Sequence, residues 1–220
     1  MAKPNYKVVA LDFDGTTACT IPAIYYSASK MLESYGYSVE REVVYKNFGL
    51  ALPFAFRCFA GDDTIDDAII EQMTAEYNRI YKEEGERLVE LFDGVVATLD
   101  TLKSAGIKIV IASNNIRPVL NRLTANLGIA EYIDDIVSVE DVESVKPAPD
   151  IALEVIRRFG VTGEEVLVVG DSTFDMDMGR EAGCHLCGVT YGSHTPEMLC
   201  EKGARYMIEH FSELEKIVLG

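Results

Sequence analysis

The chain has 220 residues, of which 48% are hydrophobic and 25% charged, a balance typical of a folded globular protein that excludes disorder or a coiled coil for the chain as a whole. Twenty Lys and Arg against 36 Asp and Glu give a net charge of −16, which repels polyanions such as nucleic acids and anionic membrane surfaces. The sequence contains no apolar run long enough to span a membrane, and it begins without a signal-peptide pattern. We therefore expect a cytoplasmic protein with neither a nucleic-acid nor a membrane partner.

Short, β-branched apolar runs alternate with helical periodicity through most of the sequence, which predicts βα units that form a parallel sheet. The predicted strands, in chain order, are Lys7–Leu11, Ile107–Ala112, Asp135–Val139, Val166–Gly170 and Cys184–Val189, with a short edge strand at Arg205–Ile208. Helices are predicted near residues 95–104, 118–127, 149–159 and 174–182, several of them followed by a glycine. The predicted fold class is therefore α/β, with a Rossmann-like parallel sheet at its core.

A stretch of about 65 residues between the first two predicted strands shows helical spacing alone. This stretch is too long for an ordinary crossover connection. We therefore predict a helical-bundle cap domain, residues 17–91, inserted into a core domain made of residues 1–16 and 92–220. Thr20 and Pro22 are typical of a helix start, with Thr20 as the N-cap and Pro22 in the first turn.

The five cysteines are an odd number in a chain long enough to fold without disulfides, so a disulfide framework is not indicated and a reducing compartment fits. Cys184 and Cys187 form a C-x-x-C pattern. The pattern lies within a predicted strand, whereas a redox pair is expected where a strand leads into a helix. We predict that both residues are packed strand thiols.

Polar residues follow four of the predicted strands, at the edge where ligands bind in an open α/β sheet. The segments are DFDGTT at 12–17, SNN at 113–115, KP at 146–147 and GDSTFD at 170–175. A single acid at a strand end commonly caps a helix or forms a turn, but four such clusters are hard to explain by structure alone. We predict that the four segments form one site.

Four acids fall within these segments. Asp12 and Asp14 are two positions apart, so their side chains should point to the same side of an extended chain. Asp171 and Asp175 would join them if the two strands are neighbours, and the combined negative charge calls for a cation. Ligation by oxygen atoms alone, without His or Cys, suits Mg²⁺.

The same segments supply candidates for binding a phosphate group. Lys146 can neutralise a further negative charge. Ser113 can donate to phosphate oxygens together with backbone N–H groups near Asn114 and Gly15. The residues therefore predict a phosphate site beside the cation.

The motifs DFDGTT, SNN, KPAPD and GDSTFD, in this order, resemble the four motifs of the haloacid dehalogenase-like (HAD) superfamily, and the match runs from about Tyr6 to Gly192. The helical insert between the first two motifs resembles the type-1 cap of the branch that includes phosphoglycolate phosphatase and β-phosphoglucomutase. The resemblance implies a Mg²⁺-dependent phosphatase that hydrolyses a small phosphorylated metabolite, with phosphoglycolate as a family-level candidate, and that is a monomer or homodimer.

The resemblance also implies roles for the motif residues. Asp12 would attack phosphorus to form an aspartyl-phosphate, Asp14 would be the general acid and then the base, and Lys146 would hold the phosphoryl group and the nucleophile. Asp171 would ligate Mg²⁺ together with the Asp12 carboxylate and the Asp14 backbone carbonyl. The remaining residues would bind the phosphoryl group or support the site: Ser113, Asn114, Gly15, Asp175 and Thr16.

Substrate specificity is expected to come from the cap, where the sequence is less informative. Lys46 and Arg57 are the cationic candidates for a substrate carboxylate or a second phosphate, although simple exposure to solvent explains such residues equally well. Cys19 departs from the family, in which an acid is common at this position. We expect Cys19 to be a buried thiol near the hinge between the domains.

Three other functions share parts of this pattern. A β-phosphoglucomutase-like phosphomutase would use the same core residues, but the stretch after DFDGTT lacks the additional polar residues usual in mutases of this branch. A phospho-acceptor receiver domain needs neither the insert nor the second acid, Asp14, and a dehalogenase has no use for a metal site. Hydrolysis is therefore the leading prediction, with the phosphomutase as the alternative.

Overall fold

The computed structural model describes residues 6–48, 50 and 52–220. The chain forms two compact units, one from the residues up to Ala18 together with Leu91–Gly220 and the other from Cys19–Glu90. The first unit is α/β and the second is helical. Within the described residues, none of the helices combines the length and the apolar character that a bilayer crossing requires.

A parallel sheet of six strands forms the centre of the α/β unit. Its strands are β1 (Val8–Leu11), β4 (Lys108–Ala112), β5 (Asp135–Val137), β6 (Val166–Gly170), β7 (His185–Val189) and β8 (Tyr206–Ile208). Their order across the sheet is β5-β4-β1-β6-β7-β8, so β1 lies between β4 and β6. Two short strands, β2 (Ala18–Cys19) and β3 (Glu90–Leu91), form a separate two-stranded sheet. The predicted α/β fold with a parallel sheet is confirmed.

The sheet is covered by helices. Val8 and Ala10 of β1 pack in a cluster with side chains of α7 (Asp150–Phe159) and α8 (Thr173–Glu181). The alternate residues of β1 are also completely buried, and burial on both faces explains why the strands read as continuous apolar runs. Further α-helices of this unit are α5 (Val95–Ser104), α6 (Arg117–Asn126), α9 (Pro196–Glu201) and α10 (Glu213–Leu219).

The third predicted strand is shorter than expected. β5 ends at Val137 because residues 139–141 form a 3-10 turn, with Ser138 as its N-cap. The Ser138 Oγ accepts the N–H of Glu140 at 3.4 Å, and Asp141 Oδ2 accepts the backbone N–H of Ser138 at 2.8 Å. Local hydrogen bonds of this kind compete with strand pairing.

The helical unit contains α1 (Ile21–Ser34), α2 (Arg41–Lys46), α3 (Leu52–Ala60) and α4 (Asp67–Ile80), followed by a π-helical turn (Tyr81–Gly85) and a 3-10 turn (Glu86–Leu88). Thr20 is at the N-cap position of α1 and Pro22 lies in its first turn, as predicted. However, the Thr20 side chain makes no capping hydrogen bond. The reason is that its backbone has φ −99° and ψ −13°, whereas a capping residue is usually extended.

The interior of the helical unit is built from large apolar side chains, including Phe56, Met73 and Ile80. The π-helical turn lies close to α1, since a Cβ atom at Gly85 would be only 2.5 Å from the Ser27 Oγ. One face of the unit carries an open hollow of about 500 Å³, which is bordered by Pro22, Tyr25, Tyr26, Ser29, Lys30, Glu33, Arg41 and Leu88.

Candidate active site

Three acids meet at the carboxyl edge of the sheet. Leu11 of β1 pairs with Val169 of β6 in parallel register, so the residues that follow these strands lie side by side. One carboxylate oxygen from each of Asp12, Asp171 and Asp175 lies within 4.8 Å of the other two. All three residues are buried, with 8%, 2% and 1% of their surface exposed. The structure therefore brings two of the sequence motifs into one acidic cluster.

A buried lysine neutralises part of this cluster. The Lys146 Nζ donates to Asp12 Oδ1 at 2.7 Å and to Asp175 Oδ1 at 2.5 Å. Asn114 holds the backbone of Lys146, because its Oδ1 accepts the Lys146 N–H at 2.9 Å and its Nδ2 donates to the Lys146 carbonyl at 3.2 Å. The Asn114 side chain thus positions the lysine, a contact that its motif alone did not predict.

The Asp175 carboxylate has hydrogen-bond partners at both oxygens. Its Oδ1 accepts from Lys146, and its Oδ2 accepts from Ser172, at 3.1 Å from the backbone N–H and at 2.6 Å from Oγ. Gly170 allows this approach, since a Cβ atom there would lie 2.3 Å from the Asp175 Cβ. Asp175 is therefore arranged to orient Lys146, and Asp12 and Asp171 are better placed to offer an oxygen to a cation.

Asp171 is contacted by a segment outside the four sequence motifs, namely the residues that follow β7. The backbone N–H of Ser193 donates to Asp171 Oδ2 at 2.7 Å. Gly192 packs directly on the acid, since a Cβ atom there would lie 2.1 Å from the Asp171 Cβ. The sequence does carry a signal for this segment. Polar residues follow β7, as they follow the other strands that contribute residues to the site.

Asp14 lies three residues beyond the end of β1. The pairing of β1 ends at Leu11, and Asp14 instead forms an isolated bridge with Ala18. Its Oδ2 accepts from Asn115 Nδ2 at 3.4 Å. After burial and the other two acids, the charge of Asp14 also contributes to the raised pKa of Asp12, so its carboxylate acts on the same site.

The other predicted phosphate-binding residues lie in the same unit. Ser113 is buried, and its Oγ accepts the N–H of Asn115 at 3.1 Å. The N–H of Gly15 donates to the carbonyl of Ala18 at 2.8 Å, so this donor is already engaged within the turn. Thr16 is buried, and its carbonyl accepts the hydroxyl of Tyr191 at 2.9 Å.

The two candidates in the helical unit differ from each other. Lys46 is the last residue of α2 and is exposed. Arg57 is engaged within its own unit, because its guanidinium donates to the Ile65 carbonyl at 3.0 Å and to Asp67 Oδ1 at 2.5 Å. Lys46 is therefore the more available of the two cations.

The electrostatics of the cluster favour a bound cation. Burial raises the pKa of Asp12 well above its usual value, Lys146 opposes this shift, and the neighbouring acids add to it. Burial, and then the charge of Asp175, raises the pKa of Asp171 to about 7. For Lys146, burial lowers the pKa, but the charges of Asp12 and Asp175 raise it on balance.

One ammonium group therefore faces three buried carboxylates, and two of these have raised pKa values. A divalent cation would counteract the raised pKa values of Asp12 and Asp171, since an opposite charge favours the ionised carboxylates. The donors are oxygen atoms only, which fits a hard cation such as Mg²⁺.

Known proteins resemble this chain over nearly its whole length. A sequence profile of the family described as haloacid dehalogenase-like hydrolase matches residues 9–189. A phosphoglycolate phosphatase from Vibrio parahaemolyticus is 26% identical over 224 residues, covering 99% of this chain and 98% of that protein. A pyrophosphatase, PpaX, from Halalkalibacterium halodurans is 28% identical over 212 residues, covering 96% of this chain and 95% of that protein.

Among solved structures, a Bacteroides fragilis protein assigned to the haloacid dehalogenase-like hydrolases is 30% identical to this chain. The two superpose with a TM-score of 0.88, covering 95% of this chain and 99% of the other. The profile match spans far more than half of the chain, and the solved structure agrees with it in fold and sequence. The chain therefore belongs to the haloacid dehalogenase-like hydrolase family.

Proposed function

We propose that the chain is a Mg²⁺-dependent phosphatase that hydrolyses a small phosphorylated metabolite through an aspartyl-phosphate on Asp12. In this proposal it acts in the cytoplasm as a monomer or homodimer. The observation that carries the proposal is the buried trio of Asp12, Lys146 and Asp171. In this trio the lysine binds one oxygen of Asp12, and a carboxylate oxygen of Asp171 lies within 4.8 Å of Asp12.

The first half of the reaction transfers the phosphoryl group to the protein. A carboxylate oxygen of Asp12 bonds to phosphorus as the bond between phosphorus and the ester oxygen breaks. Asp14 gives its proton to the departing alkoxide, which leaves as an alcohol. Lys146 lowers the repulsion between the incoming carboxylate and the phosphate dianion, because its ammonium group already contacts Asp12 at 2.7 Å.

The second half restores the protein. Asp14, now ionised, accepts a proton from a water molecule whose oxygen bonds to phosphorus. The bond between phosphorus and the Asp12 oxygen breaks, inorganic phosphate leaves, and Asp12 is again a carboxylate. Asn115 donates to Asp14 Oδ2 at 3.4 Å, which favours one orientation of this acid in both halves.

The residues that would hold Mg²⁺ are Asp12 and Asp171, together with the backbone carbonyl of Asp14. When bound, Mg²⁺ would supply positive charge that screens the phosphate and favours the ionised form of Asp12. The raised pKa of Asp12 in the metal-free protein supports this need, since a protonated carboxyl group is a poor nucleophile.

Two relatives suggest which substrates to test first. One is named phosphoglycolate phosphatase and the other a pyrophosphatase, so phosphoglycolate and pyrophosphate are the leading candidates for this chain. Lys46 is the proposed cap residue for a second anionic group on the substrate, because it is exposed whereas Arg57 is engaged within its unit.

The test measures released phosphate from para-nitrophenyl phosphate, phosphoglycolate, pyrophosphate and sugar phosphates, with Mg²⁺ and with EDTA. We expect hydrolysis that EDTA abolishes and that Asp12→Asn lowers by at least about 10³-fold in kcat, because the variant removes the nucleophile. Asp100→Asn is the matched control, since Asp100 is an exposed acid on α5 of the same unit.

Wild-type rates in Asp12→Asn, or full activity in EDTA, would contradict the proposal. The sugar phosphates are also analysed for isomerised products. Isomerisation without release of phosphate would favour the phosphomutase instead.

A further inference from the structure

The residues that follow β7 contact Asp171 at three points. Ser193 donates its N–H to Asp171 Oδ2 at 2.7 Å, and His194 donates its N–H to the Asp171 carbonyl at 3.1 Å. Gly192 packs against the Asp171 Cβ. The proposed phosphatase chemistry uses none of these three residues, so their arrangement needs a separate explanation.

The imidazole of His194 links the segment after β7 to the start of α8 by a hydrogen bond. Its Nδ1 accepts the backbone N–H of Thr173, the first residue of α8, at 3.1 Å, so the ring proton is on Nε2. The N–H groups in the first turn of a helix have no partner within the helix. Ser172 accepts the N–H of Asp175 in the same turn, so Ser172 and His194 satisfy different donors.

Asp171 is therefore held by two linked elements, the start of α8 and the segment after β7. The chain passes from Asp171 directly into α8, and His194 links the start of α8 to the segment that donates to Asp171. Removing the acceptor on His194 would leave the Thr173 N–H without this partner and would loosen the segment, which would then be held to Asp171 by its backbone N–H groups alone. The carboxylate would then more readily lose the Ser193 contact that fixes its orientation.

We propose that His194 is a positioning residue for the metal-ligating carboxylate of Asp171, acting through the Nδ1 bond to Thr173 and the Ser193 N–H. This inference rests on the proposed function, because it assumes that Asp171 binds Mg²⁺. Groups that orient metal ligands typically contribute 10- to 100-fold in metal affinity when they are removed. The role requires a hydrogen-bond acceptor at the Nδ1 position and does not require an imidazole.

The experiment compares His194→Asn with His194→Leu by calorimetric titration with Mg²⁺ and by the dependence of kcat on Mg²⁺ concentration. Asn and Leu are similar in size, but only Asn has an acceptor that can occupy the place of Nδ1. We expect His194→Leu to weaken Mg²⁺ binding by about 10-fold or more, with KM for substrate little changed at saturating Mg²⁺. His194→Asn should stay within about 3-fold of the wild type, and His210→Asn, at an exposed histidine, should match it.

The outcomes separate the two proposals. Equal weakening of Mg²⁺ binding in the Asn and Leu variants would overturn the inference. The cause would then be the lost packing of the imidazole against the Phe174 ring, whose centroid is 6.0 Å from that of His194. Wild-type Mg²⁺ affinity in both variants would also overturn it while leaving the proposed function intact. A wild-type protein that binds no Mg²⁺ would overturn the proposed function, and this inference with it.

Discussion

Burial governs the reactivity of the five cysteines, which lie in three environments. Cys58 and Cys200 are exposed, Cys19 is partly buried, and Cys184 and Cys187 are buried in the sheet unit. Cys184 precedes β7, which begins at His185, so only Cys187 is the strand thiol that was predicted. Burial raises the pKa of both thiols to about 12, with a smaller contribution from Glu213 at Cys187. Since the thiolate is the reactive form, these two should be inert near neutral pH.

We predict that a chromogenic aromatic disulfide titrates two thiols rapidly in the native protein, one at Cys58 and one at Cys200. Cys19 should react more slowly, because burial and the charge of Glu90 raise its pKa. Cys184 and Cys187 should react only in denaturant. Cys58→Ser should remove one rapid equivalent, and rapid reaction of four or more thiols would contradict this assignment.

The residues of the site illustrate what the sequence could and could not predict. Asp12 and Asp171 follow apolar strands, and parallel strands end at one edge of a sheet, so their proximity could be expected from the order of the elements. The Ser193 contact could not, because a backbone N–H is present at every position except proline and leaves no mark in the residue types.

At the scale of elements, the connection between β5 and α7 carries Lys146 into the site. Asp141 fixes the first part of this connection. Its carboxylate accepts from Ser138, from Arg117 at 2.7 Å and from Arg158 at 2.7 Å. Partial burial raises the pKa of Asp141, but the hydrogen bonds from Ser138, Arg158 and Arg117 outweigh this effect and hold it below its usual range.

Asp141→Asn should therefore destabilise the protein at neutral pH, by about 1 to 3 kcal/mol, since it removes charge-assisted bonds from two arginines. A carboxyl group with a lowered pKa binds fewer protons in the folded state, so its contribution is present above about pH 4 and is lost as the pH falls below that. The variant should lose less stability than the wild type on acidification through this range. Thermal unfolding at several pH values measures both effects, with Asp100→Asn as the control.

An unchanged melting temperature in Asp141→Asn at neutral pH would contradict this account of the connection. The same residue explains why the strand prediction at 135–139 was too long. Val139 suits a strand by composition, but Ser138 and Asp141 form a capped turn that ends the pairing at Val137. Apolar runs predicted the existence of all six core strands, whereas a side chain bonded to the backbone determined this boundary.

At the scale of the whole molecule, the two units divide the chemistry unequally. The three acids that meet, the lysine that binds two of them and the segment after β7 all belong to the α/β unit. An α/β sheet of this kind could be predicted because its strands are buried on both faces and therefore read as apolar runs. The inside of the helical unit was less predictable, since the π-helical turn at Tyr81–Gly85 continues the helical spacing of α4 without a distinct sequence pattern.

The acidic cluster should make the metal-free protein less stable as the pH rises. The pKa of Asp171 is about 7 in the folded state and 3.8 in its unperturbed form. Between these values the folded state binds more protons than the unfolded state, so stability falls with increasing pH across this window. Under the proposed function, Mg²⁺ would bind the folded site alone and should restore stability at the upper end of this window.

Asp171→Asn tests this trade-off between stability and function, because the amide cannot ionise. In EDTA at about pH 8, the variant should melt roughly 5 to 10 °C above the wild type, yet it should gain nothing from added Mg²⁺ and should not hydrolyse phosphate esters. At about pH 4, near the lower end of this window, the two proteins should melt at similar temperatures. Scanning calorimetry at both pH values, with and without Mg²⁺, measures these differences, and Asp100→Asn should follow the wild type throughout.

A metal-free wild type with the same melting temperature at both pH values would contradict this prediction. Ionisation of the buried carboxylates would then cost no folding stability, and the argument that this edge of the sheet needs a cation would lose its physical basis.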